Sequence, residues 1–162
     1  MQRRALDSFD RKLLRLVQQD DHLTAEALAE RIGLSASAIQ RRLKRLEADG
    51  FIVGHMALVD PTTVGNPTFF VVALEVERER LEHLARLRQW LTSEEWVQQT
   101  YYVTGTADFV LIVTAPSVQA YDDFMTRLMT DNPNVRRFTT NVVLGINKRS
   151  LCVPIEDDGD QP

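Results

Sequence analysis

A single cysteine, Cys152, is all the thiol chemistry in this sequence. That excludes an internal disulfide and leaves no second sulfur to share a metal. Within the strand-like run "SLCVPI" Cys152 reads as a small buried hydrophobe. The three histidines, His22, His55 and His83, are scattered, with no cysteine or carboxylate at ligand spacing, so no metal site is expected. No apolar run approaches the roughly 18–20 residues that span a bilayer. The opening "MQRRALDSFDRK" lacks the apolar stretch of a signal peptide, so a cytoplasmic location, with no membrane partner, is expected. There is no G-x-S-x-G, no P-loop and no dinucleotide-binding glycine pattern. These absences point away from an enzyme and from any cofactor.

What is present is an uneven distribution of charge. The chain of 162 residues carries a net charge of −4, yet residues 1 to 50 hold ten Lys/Arg against eight Asp/Glu. The remainder holds nine against fifteen, so a front part of +2 precedes a rear part of −6. Global attraction to a polyanion is therefore weak, and any nucleic-acid contact must be local. The place for it is "GLSASAIQRRLKRLEADGFI", where Arg41, Arg42, Lys44 and Arg45 fall within five positions without an acid among them.

Up to about residue 52 apolar residues recur at helical spacing. Phe9, Leu13, Leu14 and Val17 form one stripe, Leu28, Ala29 and Ile32 a second, and Ile39, Leu43 and Leu46 a third. Asp7 or Ser8, Thr24 and Ser35 stand where each helix would begin and can accept from free backbone N–H groups. Gly33 and Gly50 stand where the second and third would end. A helix, the glycine turn "RIGLS" and a second amphipathic helix make a helix-turn-helix, whose second helix enters the major groove of double-stranded DNA. With residues set at roughly 100° intervals, Ser37 and Arg41 lie opposite the core stripe. Gln40 and Lys44 flank one side and Arg45 the other. Arg42 sits nearer the protein but can reach around to a phosphate. Small residues permit close approach, Gln and Arg match adenine and guanine edges, and the cations displace counterions. The DNA-contacting set is therefore Ser35, Ser37, Gln40, Arg41, Arg42, Lys44 and Arg45.

The stretch "GFIVGHMALVDPTTVGNP" reads as a hinge with a short β-like piece. Beyond it, strand and helix patterns follow in the order β-α-β-β-α-β, the split arrangement of ferredoxin-like domains. "TFFVVALEV" is apolar on both faces, which calls for helices on one side and another subunit on the other. Trp90 and Trp96 follow these stripes and are expected in the core or an interface. The run "KRSLCVPI" is expected to extend the sheet edge or pair with a neighbour. The fold class is thus α+β, a three-helix helix-turn-helix domain followed by a ferredoxin-like sandwich. The expected boundaries are 1–54 for the helical domain, 55–67 for the hinge or linker strand, 68–155 for the sandwich, and 156–162 for an acidic, disordered tail.

The residues "LDSFDRKLLRLVQQDDHLTAEALAERIGLSASAIQRRLKRLEADGFIVGHMALVDPTTVG" resemble the front half of the Lrp/AsnC (feast/famine) transcription regulators, and the likeness continues through "YYVTGTADFVLIV" and "TTNVV". The resemblance implies a DNA-binding domain joined to a RAM-type sandwich that senses amino acids. It also implies homodimers that assemble into tetramers or octamers. "GTADF" is similar to the family's Gly-x-x-Asp turn, which puts Gly105, Thr106 and Asp108 in the effector pocket. Tyr102, Asn141, Val142 and Val143 match positions that shape effector response. A carboxylate can take an α-ammonium, and a glycine-opened turn can present N–H groups to an α-carboxylate. On that basis Asp108 is expected to hold the ammonium. Gly105 and Asp108 equally suit a tight hairpin with no ligand. Asn141 and the large Tyr102 favour a small or polar ligand over leucine. Some family members have no effector, which leaves open an effector-independent, nucleoid-associated architectural protein.

Overall fold

Helix caps and glycine stops divide the front of the chain as its pattern predicts. In the computed structural model, which describes residues 5–77 and 81–156, helix α1 spans Ser8–Gln19, α2 Ala25–Ile32 and α3 Ala36–Ala48. Asp7 caps α1 through a reciprocal box, its carboxylate accepting from the Asp10 N–H at 2.8 Å while Asp10 accepts from the Asp7 N–H at 3.2 Å. Thr24 and Ser35 accept from Ala27 and Ala38 at the starts of α2 and α3. Gly33 ends α2 with φ 82°, a left-handed conformation that glycine adopts without a Cβ clash. Leu13, Leu28, Ile39 and Leu46 are fully or almost fully buried where the three helices meet.

The described residues form two units, 5–58 together with 148–156, and 59–147. The C-terminal run is therefore not where the sequence pattern put it. Residues 148–155, expected to extend the sheet, lie along α1 instead. The Gln18 side-chain amide accepts from the Val153 N–H at 2.8 Å and donates to the Val153 carbonyl at 3.2 Å, as a neighbouring strand would. Arg15 donates to the Ile155 carbonyl at 3.4 Å, and Ile155 packs on the helical core. Pro154 has no N–H to give to a sheet ladder, which disfavours the expected pairing. Cys152 is exposed rather than buried, its thiol donating to the Gln18 carbonyl at 3.2 Å. Of the tail expected over 156–162, residues 157–162 lie outside the described residues.

The second unit is the split β-α-β-β-α-β fold. It comprises β1 (Thr68–Val76), α4 (Leu81–Ser93), β2 (Val97–Tyr102), β3 (Phe109–Ala115), α5 (Val118–Asp131) and β4 (Val135–Val142). The sheet order is β2-β3-β1-β4 and each neighbouring pair is antiparallel. Alternation sorts the strands cleanly. Phe70, Val72, Leu74 and Val76 of β1, with Phe109, Leu111, Val113 and Ala115 of β3, are buried with residues of α4 and α5. Trp90 and Trp96 pack against that core, each tilted on Phe124. On the other sheet face, Val71 and Ala73 of β1 lie beside Ile112 and Val110 of β3, all only half-buried in the single chain.

Candidate nucleic-acid interface and effector site

The basic helix divides its four cations into two kinds. Arg41 and Lys44, with Ser37 and Gln40, are exposed on the side of α3 away from the core. Neither Arg41 nor Lys44 has a side-chain hydrogen bond or ion pair among the described residues. Ser35 is engaged as the α3 cap, its Oγ also 3.2 Å from that of Ser37. Arg42 and Arg45 turn the other way. One Arg42 nitrogen lies 2.7 Å from an Asp7 oxygen and 2.6 Å from an Asp10 oxygen, and its guanidinium sits 5.5 Å from the centre of the Phe9 ring. Arg45 pairs with the remaining oxygen of Asp10. The Asp10 side chain is only 1 % exposed.

That burial decides what the two arginines can do. Removing one partner from a buried ion pair costs about 3–5 kcal/mol, because the other charge is left without water or counter-charge. A phosphate contact by Arg42 or Arg45 would incur much of that cost. Arg42 and Arg45, both expected to contact DNA, are paired with the acids of α1 in the DNA-free chain. Arg42 titrates above the usual guanidinium range, its hydrogen bond to Asp7 outweighing burial. Burial pushes the Asp7 carboxyl up, but the Asp10 N–H and Arg42 together hold it below its ordinary value.

Asp7 entered the sequence reading only as a cap, and Asp10 not at all. The signal was available in the position of Arg42 on the protein side of α3. A cation there requires an acid on the facing helix, and the spacing in "LDSFD" supplies two.

The candidate effector residues fall into two groups. Tyr102, Gly105, Thr106 and Asp108 belong to the β2–β3 turn. Gly105 has φ 125°, a conformation in which any side chain is strained. Nothing lies within 4 Å of a Cβ built there, so glycine serves the turn rather than a close approach. Thr106 is exposed. Tyr102 leans on Phe109 with ring centres 5.1 Å apart, and the Arg88 guanidinium is 5.0 Å from the Tyr102 ring.

Asp108, expected to hold an α-ammonium, is engaged by the backbone in the ligand-free chain. It is buried, and one carboxylate oxygen accepts the Val76 N–H at 2.8 Å. Its own N–H donates to the Leu74 carbonyl at 2.8 Å, and its carbonyl accepts from the Val103 N–H at 2.9 Å. Asp108 thus fastens the turn to the end of β1, next to the register shift at Glu75/Val76. The geometry matches the hairpin-making alternative for this residue.

Asn141, Val142 and Val143 lie at the other end of β1. Val143 donates to the Phe69 carbonyl, whereas Asp108 donates to that of Leu74. Those anchor points are five residues, about 17 Å, apart at the usual strand rise. Val143 lines an open cleft of about 350 Å³ with Asn66, Thr68 and Phe69, and no residue of the turn group reaches it. Alternation also separates neighbours. Asn141 is opposite Val71 on the half-buried face, and Val142 opposite Phe70 on the helix-covered side. The two groups do not converge within one chain.

Residues 6–53 match the family model for winged helix-turn-helix DNA-binding domains, and residues 70–151 that for the Lrp/AsnC ligand-binding domain. The chain belongs to the Lrp/AsnC family. It is 42 % identical to an HTH-type transcriptional regulator of Sinorhizobium fredii, over 93 % of this chain and 89 % of that protein. An AsnC family regulator from Agrobacterium tumefaciens superposes with a TM-score of 0.85 at 30 % identity, covering 92 % of this chain and 97 % of the other. A Neisseria meningitidis regulator solved as an L-Met complex gives a TM-score of 0.85 at 25 % identity, covering 93 % and 97 %. This Lrp/AsnC member is a transcriptional regulator with a DNA-binding helix-turn-helix and a ligand-binding domain, and its relatives are regulators rather than enzymes. No helix among the described residues is long and apolar enough to cross a membrane.

Proposed function

We propose that this Lrp/AsnC regulator reads a roughly palindromic DNA site with Ser37, Gln40, Arg41 and Lys44 of α3. A small amino acid bound between subunits of a homo-oligomer controls it in the cytoplasm. The observation that carries the intersubunit reading is the separation of the turn group from Asn141 and Val143 along β1. Residues that match one effector pocket but lie about 17 Å apart in one chain call for a second copy to bring them together. The half-buried face of Val71, Ala73, Val110 and Ile112 supports a dimer built sheet against sheet, from which tetramers or octamers can grow. The methionine complex of the Neisseria regulator supports an amino acid as the ligand class. The ligand acts by binding one assembly more tightly than another, since equal affinity for both would shift nothing.

A thermal-shift panel of the common amino acids on the full chain tests this. Ligand at 100 times its dissociation constant stabilises the folded form by roughly 2.7 kcal/mol. A shift confined to one or two amino acids, and lost in both Thr106→Ala and Asn141→Ala, is the expected result. A flat panel would favour the second reading, an effector-independent architectural DNA-binding protein. The hydrogen bond from the Val76 N–H to Asp108 supports that alternative, because it gives the carboxylate a structural role that needs no ligand.

A further inference from the structure

We infer that Asp10 is a positioning residue for DNA recognition: through its ion pairs it withdraws Arg42 and Arg45 from the nucleic-acid surface and leaves Arg41 and Lys44 as the phosphate-competent cations of α3. The inference rests on α3 being the DNA-contacting helix. Three observations carry it. Asp10 is buried and presents one oxygen to each arginine, Arg42 at 2.6 Å and Arg45 on the other side. The acid cannot follow the arginines outward, because its own N–H and carboxylate are held in the α1 capping box with Asp7. Arg42 is gripped a second time by Asp7 at 2.7 Å and lies over the Phe9 ring. Arg41 and Lys44 have no such partners among the described residues.

The consequence concerns specificity. Cations that reach any phosphate raise affinity for every sequence alike, whereas base-edge contacts discriminate. Sequestering two of four arginine and lysine charges lowers the sequence-independent share of binding and leaves the exposed polar face to decide. Asp10, one helix away from the DNA, thereby sets how much of the affinity is indiscriminate.

The test uses the full-length protein and mixed-sequence duplex DNA, with affinity measured across a salt series. Each cation that neutralises a phosphate contributes a slope of about −0.9 in log affinity against log salt. Arg41→Gln and Lys44→Gln should each flatten the slope by about that amount. Arg42→Gln and Arg45→Gln should leave it unchanged. Asp10→Asn should steepen it by about 1 to 2 units as the arginines are released, a change that loss of stability alone would not produce.

Should single variants fold poorly, the triple variant Asp10→Asn, Arg42→Gln, Arg45→Gln leaves only the half-exposed Asp7 without its cation and should keep the wild-type slope. A slope flattened in Arg42→Gln as much as in Arg41→Gln, or flattened by about two units in the triple variant, would overturn the inference. A slope unmoved by Arg41→Gln and Lys44→Gln as well would remove α3 as the contacting helix, and the inference would fall with that reading.

Discussion

The core stripes of the three helices find partners within the chain, whereas one face of the sheet is only half-covered. Leu13, Leu28, Ile39 and Leu46 close on one another and gain Ile155 from the C-terminal run. Even the buried acid of this unit is neutralised locally, by two arginines from α3. The sheet has α4 and α5 over Phe70, Val72 and Leu111, but only half-burial for Val71, Ala73, Val110 and Ile112. The three-helix core closes in a single copy, and the sheet has the composition of an interface on its second face. Sites follow the same division. The candidate DNA-contacting side chains lie together on one helix, while the candidate effector residues are spread along a strand.

The sharpest way to break this comparison is to cut the two sheet faces separately. Leu111→Ala, on the helix-covered face, should cost about 2–5 kcal/mol of stability through its cavity. That loss should be the same at every protein concentration. Ile112→Asp, one residue on, places a charge on the half-buried face and should instead dissociate the proposed oligomer, so that its loss of stability relative to wild type grows with protein concentration as only the wild type gains from association. Denaturation at several concentrations, with sedimentation to give mass, separates the two. Equal, concentration-independent losses would mean that both faces are filled within one chain.

Asp108→Ala comes next. It leaves the Val76 N–H without its acceptor, and an unsatisfied buried donor costs about 1–3 kcal/mol. The loss should appear in the sheet unit with no amino acid present. Hydrogen exchange should report it first at Val76 and along the β2–β3 turn. A variant of unchanged stability that had lost only ligand response would return Asp108 to the role of ammonium acceptor.

A smaller effect is expected where the helical unit borrows residues from the far end of the chain. Gln18→Ala removes both amide bonds to Val153 and, for an exposed pair, should cost about 1 kcal/mol. Cys152 is the only thiol in the chain, so its labelling rate is a local reporter. Labelling should accelerate in Gln18→Ala while the core of α1–α3 stays protected.

Much of this organisation was legible before any coordinates. The caps at Asp7, Thr24 and Ser35, the stop at Gly33 and the β-α-β-β-α-β order follow from short-range chemistry, each set by residues within a few positions of one another. What was not legible depends on partners distant in sequence. Arg42 meets the carboxylate of Asp10, 32 residues away. Asp108 meets the backbone N–H of Val76, also 32 residues away. The run 148–155 shows the same limit. Its β-like pattern forms no strand, and its partner is a glutamine amide on a helix, which no periodicity encodes.

The least disruptive change isolates the outer layer of the charge cluster. Asp7→Asn keeps a good helix cap and removes only the negative charge facing Arg42. Because both side chains are partly exposed, at 49 % and 21 %, the loss at neutral pH should stay below about 1 kcal/mol. Its pH dependence carries the sign. The Asp7 carboxyl is held below its ordinary 3.8 in the folded state, so the unfolded chain takes up the proton first as pH falls. Its contribution is therefore complete well above 3.8 and fades as pH drops through and below that value. Urea melts of wild type and Asp7→Asn should differ by a constant amount near neutrality and converge in acid. A difference that persisted below the folded-state titration would assign the effect to the cap rather than to the pair with Arg42.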